Sequence, residues 1–212
     1  MKYDKVEIGM EEWKQKFKFW RESTSTSPSG VHLGHFKALI EPIYVVNDIQ
    51  LAPDLEINTM QQDTLELHLR LINLILQSEN SIPRWQRCNN ISIPKKLDCI
   101  LVEKFRNIHI YECDLDAVIA IKWKAAIYNA EEANQLSENQ FGSRKEKNTQ
   151  IPILMEILQQ DISRLTRRPY GQINYDAKAC YDRILPNLAS IVSNAYGVPE
   201  SIVKLHNHLL HQ

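Results

Sequence analysis

Residues 173–184 read INYDAKACYDRI, and the reading of this stretch decides the fold. An apolar, strand-like run through Ile173 and Tyr175 delivers one carboxylate, Asp176, and a second, Asp182, follows six residues later. An aspartate at the end of a buried strand is a rigid oxygen donor. Hard cations such as Mg2+ take oxygen ligands and share their coordination shell with substrate phosphates. The alternative is a helix N-terminus, in which Asp176 is the cap and the later charges lie on a solvated face. Spacing alone leaves both open, since one carboxylate does not make a metal site.

Working outward, the charge is unevenly divided. The net charge of the 212-residue chain is −1, and its 43% apolar and 24% charged content is that of an ordinary soluble protein. Residues 40–80 carry seven acids against one base, Arg70, whereas residues 84–183 carry sixteen Lys and Arg against thirteen Asp and Glu. The bases come in clusters: Arg84 with Arg87, Lys95 with Lys96, Lys104 with Arg106, Lys122 with Lys124, Arg144 through Lys147, and Arg164 through Arg168. Converging on one face, such clusters follow a phosphate backbone; taken singly, each reads as solvated surface. The charged N-terminus is unlike a signal peptide, and no apolar run approaches the ~20 residues a bilayer needs. An intracellular protein with no membrane partner is expected. Cys88, Cys99, Cys113 and Cys180 form no CxxC pair, which argues against a zinc site or a disulfide framework.

Periodicity predicts an α+β protein dominated by helices. Trp13, Phe17 and Trp20 recur at helical spacing, and STSTSPSG at 23–30 breaks that helix with hydroxyls suited to capping the next, over 31–43. Residues 44–59 read as a connection. The 59–77 helix has a wide apolar stripe, Leu65, Leu69, Ile72 and Leu76 flanked by Leu67, Leu71, Leu74 and Ile75, which predicts burial on more than one side. Short strands follow at 90–94 and 107–110, then helices at 114–133 and 148–168, a strand at 171–175, and two helices whose starts are marked by Pro186 and Pro199.

Two motifs resemble known families. VHLGHFKAL at 31–39 is similar to the HIGH-type signature of class I aminoacyl-tRNA synthetases and related nucleotidylyltransferases, with His32 and His35 as its histidines. That signature must follow the first strand of a dinucleotide-type fold so that the helix N-terminus faces phosphate. Here an amphipathic helix precedes it, which favours a capped helix with locally bonded histidines. The second resemblance is an ordered series. Pro83 and Trp85, IPKK at 93–96, FRNIHI at 105–110, Lys122, QFGSR at 140–144 and DAKACYD at 176–182 resemble the fingers and early palm of reverse transcriptases, notably those of retrotransposons, in order and approximate spacing. The leader WRESTSTSPSGVHLGHFKAL is also similar to one found before the polymerase region in retroelement-derived reading frames.

This second resemblance implies a partial right-hand polymerase fold: an N-terminal helical extension over 1–80, a fingers-like region over 81–170, and the start of the palm over 171–212. It implies RNA-directed DNA polymerase chemistry with template–primer and deoxynucleotide triphosphates as partners, and two Mg2+ ions, or Mn2+, as cofactors. Asp176 then corresponds to the first catalytic carboxylate and metal ligand. Tyr181 corresponds to the aromatic under the sugar that disfavours a 2′-hydroxyl. Lys95 and Arg106 correspond to fingers residues that grip the triphosphate, a task suited to an ammonium and a forked guanidinium, and Lys96 is an alternative to Lys95. Gln140, Phe141 and Gly142 correspond to the loop near the templating base; Asp182 reads as structural. The family's later carboxylate pair is not found here: residues 183–212 contain one acid, Glu200. A fragment inactive by itself is the expectation, with a non-catalytic nucleic-acid-binding remnant as the alternative.

Overall fold

The computed structural model describes residues 6–21, 23, 27–47, 50–96, 101–142, 144, 146–175 and 184–210. Helix α1 (Met10–Lys18) is opened by Gly9, whose N–H donates to the Glu12 carboxylate at 3.0 Å. It delivers Trp13 and Phe17, both fully buried, to an aromatic cluster with Phe36 of α2 (Leu33–Ile40). Phe17 stacks on Phe36 with centroids 4.5 Å apart, and Trp13 meets Phe17 edge-on at 5.0 Å. Helix α3 (Leu55–Ser78) lays Leu65, Leu69, Ile72 and Leu76 against this cluster. It starts where the Asp54 carboxylate accepts from Ile57 N at 3.1 Å, and it stops at Glu79, whose φ of 57° turns the chain left-handed. Helix α4 (Cys113–Glu132) adds Leu115, Val118 and Ile121. The last helix, α7 (Glu200–Leu210), returns Ile202, Leu205 and Leu209 to the same core. This one cluster therefore draws on all three segments of the sequence, from Ile8 to Leu209.

Two antiparallel hairpins complete the α+β, mostly helical architecture. β1 (Tyr44–Asn47) pairs with β2 (Gln50–Pro53), and β3 (Asn89–Pro94) pairs with β4 (Phe105–Ile110). The first hairpin replaces the expected connection at 44–59. Its signal was the β-branched pair Val45–Val46 running into Asn47. No residue of α5 (Gln150–Leu165) or α6 (Pro186–Ala195) is fully buried, although α6 lies against α7. The strand expected at 171–175 is not formed. Those residues are exposed and have no ladder partner, and a lone extended segment leaves its amides to water. No helix among the described residues is long and apolar enough to cross a membrane.

The wide stripe on α3 is buried on one side only. Of the widening residues Leu67, Leu71 and Leu74 are 71%, 49% and 61% exposed, whereas Ile75, like Leu65, Leu69 and Ile72, lies between 0% and 6%. The apolar width over-stated the burial because no second layer covers that flank among the described residues. Truncating Leu69 to Ala removes packed methyls and leaves a cavity, so a loss of roughly 2–5 kcal/mol is expected in denaturant titrations, against less than ~0.5 for Leu67→Ala.

Where α1 meets α4, Asp116 is half-buried. Burial lifts its carboxyl to about 6, against the pull of Lys16 and with the help of Asp114. Burial likewise lowers the Lys16 ammonium, with Asp116 opposing and Lys124 assisting the shift. An aspartate whose folded pKa is raised keeps a proton that the unfolded chain releases. Its contribution to stability is therefore lost as pH rises from about 4 through about 6. Asp116→Asn should stabilise the protein at pH 7.5 by on the order of 1 kcal/mol after screening, and should flatten thermal stability across pH 4–7.

Candidate nucleic-acid interface

Hairpin β3–β4 carries the two basic residues singled out in the fingers-like region. Its register is Asn90↔His109, Ile91↔Ile108, Ser92↔Asn107, Ile93↔Arg106 and Pro94↔Phe105, and Lys95 N donates to Lys104 O at 2.9 Å to extend the ladder one rung further. Because residues directly opposite share a face, Ile93 and Arg106 fall on one face, while Lys95 and Lys104 lie just beyond the paired strands, Lys104 closing a 3-10 turn over Val102–Lys104. Ser92 and Asn107, whose side chains bond at 2.8 Å, lie on the other. Pro94 occupies a rung between two bonded ones, where its missing N–H costs no ladder bond. Lys95, Lys96, Lys104 and Arg106 are all exposed. The hairpin end is thus a compact group of cations on a rigid support, positioned by pairing rather than by packing.

The root of this hairpin is clamped by a network that the sequence reading did not single out. Arg84 precedes β3 and Glu112 and Asp114 follow β4; both carboxylates are fully buried. Arg84 Nη1 donates to Glu112 Oε2 at 2.8 Å and Nη2 donates to Asp114 Oδ2. Trp85 Nε1 donates to Asp114 Oδ1 at 3.0 Å, and His68 Nε2 lies 3.5 Å from Asp114 Oδ2. Burial opposes the Asp114 charge, but the His68 hydrogen bond and Arg84 outweigh it and hold its carboxyl below the usual range. The hydroxyls expected to cap α2 serve this network instead. Ser29 donates through N (2.9 Å) and Oγ (2.8 Å) to Glu112, and Ser27 Oγ accepts from Cys113 N at 3.1 Å, capping α4. Glu112 is the N-cap residue of α4. Two acids directly after an apolar strand, with an arginine beside a tryptophan before it, were the available signal.

The loop after α4 holds Gln140, Phe141 and Gly142. Arg144 pins it: Nη2 donates to Glu131 Oε1 at 2.8 Å while Nη1 donates to Ser137 O at 2.5 Å and to Gln140 O at 3.2 Å. Lys147 lies 5.4 Å from the Phe141 ring centroid and donates to Glu138 O. Gln140 Nε2 donates to Gly142 O at 3.3 Å. Phe141 forms one wall of an open cleft of about 460 Å³ with Met155, Gln159, Tyr170, Gln172 and Ile173. The QFG loop and the chain leading toward Asp176 therefore share a cleft, and Lys95 and Arg106 are not among its lining residues. Asp176, Tyr181 and Asp182 lie outside the described residues.

His32 and His35 form a local cap. His32 Nδ1 accepts from Gly34 N at 3.1 Å, and His35 Nδ1 accepts from His32 N at 3.1 Å. Among the described residues the preceding element is α1 and no strand feeds the turn, so the helix start lacks the setting a HIGH-type signature requires. Among the described residues no group of three or more His, Cys, Asp and Glu side chains is placed to hold a metal ion. No protein-family model matches the chain, and no curated protein matches it. Removing the Arg84 guanidinium leaves two buried carboxylates facing each other, so Arg84→Ala should cost about 3 kcal/mol in chemical denaturation. Arg84→Lys should recover only part of that, because an ammonium cannot bridge both acids with a planar fork.

Proposed function

We propose that this chain carries the fingers and the first part of the palm of a retrotransposon-type reverse transcriptase, an RNA-directed DNA polymerase. The observation that supports it most is the hairpin: IPKK closes one strand and FRNI opens its partner, so the exposed Lys95 and Arg106 stand at the same end of the ladder. An ammonium and a guanidinium held together in this way can grip a triphosphate or a nucleic-acid backbone. In this reading Asp176 is the first metal-binding carboxylate, Tyr181 the sugar gate, and the Gln140–Phe141–Gly142 loop the neighbour of the templating base. In this reading Asp176 supplies one acid toward a two-cation site, and the family's later carboxylate pair is not found in the sequence. No chemical step is therefore assigned to the chain alone; its residues bind and orient phosphates.

A non-catalytic nucleic-acid-binding remnant is the second reading, favoured by the exposure of all four cations at the hairpin end. Both readings expect salt-dependent binding to an RNA–DNA template–primer duplex, with Lys95→Ala and Arg106→Ala each lowering the log–log salt slope by roughly one. The polymerase reading alone expects deoxynucleotide triphosphate binding that falls about tenfold or more on Arg106→Ala, a loss of ~1.4 kcal/mol. Duplex binding without triphosphate binding leaves the remnant reading; loss of neither on substitution defeats both. Primer extension with Mg2+ or Mn2+ should yield no product from this chain, and extension that Asp176→Asn abolishes would overturn its incompleteness.

A further inference from the structure

Two apolar stripes lie open to solvent on different helices, and they share one spacing. On α3, Leu67, Leu71 and Leu74 recur at intervals of four and three, on the side turned away from the core residues Leu65, Leu69 and Ile72. On α5, Met155, Leu158, Ile162 and Leu165 recur at intervals of three, four and three, and they are between 48% and 81% exposed. Alternating steps of three and four make the seam of a helix pair, in which each side chain seats between side chains of the facing helix. A single exposed leucine is ordinary, whereas matched stripes on two helices form a contact surface.

The charges beside the stripes select a direction and a register. Arg70 directly precedes Leu71, Asp63 stands seven residues before Arg70, and on α5 Asp161 directly precedes Ile162. In an antiparallel pair these preceding positions face each other across the seam. Setting Leu158 opposite Leu71 and Ile162 opposite Leu67 brings Asp161 to Arg70. Sliding one helix by seven residues brings Asp161 to Asp63 instead, carboxylate against carboxylate. A parallel pair turns these edges toward the opposite ones, which carry Gln61 and His68 on α3 and Gln159 on α5, so no carboxylate meets a guanidinium. Within one chain both charges have exposed partners on their own helices: Arg70 bonds Glu66, and Asp161 lies 3.4 Å from Arg164. Such pairs contribute little in water and leave both groups open to a second partner.

We propose that α3 of one copy docks antiparallel on α5 of a second copy, with Arg70 facing Asp161, so that the chain self-associates through these two helices. About a two-fold axis the contact is made twice and closes a dimer; without that axis the same contact runs on as an open chain. It uses neither the cations of hairpin β3–β4 nor the buried Arg84 network, so it stands apart from phosphate binding.

The test is sedimentation equilibrium of the full chain from micromolar to near-millimolar concentration, for the native sequence and for variants. The native mass should rise from one copy toward two or more. Leu158→Glu, at an exposed position of a helix with no fully buried residue, should stay monomeric with an unchanged circular-dichroism spectrum. Arg70→Glu and Asp161→Arg should each raise the dissociation constant by about fivefold or more. An equimolar mixture of the two should regain the native value, because each variant supplies the charge that the other lacks. Recovery on mixing also separates two copies from a fold-back within one chain, which mixing cannot restore. Should Leu158→Glu alter the spectrum, the mixture decides. A native chain that stays monomeric throughout, single charge variants that associate as the native chain does, or a mixture as weak as either variant alone would overturn the proposal.

Discussion

Everything distinctive in this molecule hangs from the contact between Arg84 and the two buried carboxylates of Glu112 and Asp114. Two anions with no exposure are tolerable only when each is paired and hydrogen-bonded, and here one guanidinium meets both. The network then reaches Trp85, His68 and the Ser27–Ser29 loop. It joins the chain before β3 to the chain after β4, so the hairpin leaves the core from a closed base. The basic end is held at a distance by this base together with the rungs of the ladder.

The core and the hairpin were legible to different degrees. Trp13, Phe17 and the Leu65–Leu76 stripe repeat at helical spacing over several turns, and the physical cause of the pattern, burial of one face, is the same in sequence and structure. The 90–94 and 107–110 strands were legible from β-branched content, and their ends shifted by one or two residues. What escaped was long-range. Ser29 and Glu112 are 83 residues apart, and Arg84 and Asp114 are 30 apart, so no local pattern announces their pairing. The Ser/Thr-rich loop was read as a cap for its nearest helix because capping is usually local, yet its hydroxyls act on α4.

Of the residues singled out for the site, Lys95 and Arg106 stand at one end of the hairpin, and Phe141 shares a cleft with Ile173. The region from β3 to the QFG loop is thus ordered by strand pairing and by Arg144, which binds two carbonyls of that loop and one carboxylate of α4. The segment at 171–175 is different. A strand needs a neighbour to satisfy its amides, and apolar alternation in sequence cannot say whether that neighbour is at hand. Helices α5 and α6, with apolar faces open to solvent, show the same separation between pattern and partner.

Pro94 has a further consequence for how the hairpin behaves among other molecules. On an unbonded rung the outward edge of β3 would normally present an N–H to any passing strand, and at this position proline has none to offer. The neighbouring Lys95 and Lys96 add like-charge repulsion between copies approaching edge to edge. With Ile91, Ile93 and Ile108 between 41% and 45% exposed, such a ribbon would otherwise be an aggregation seed. The same few residues that make the end cationic therefore also keep it from zipping onto another sheet.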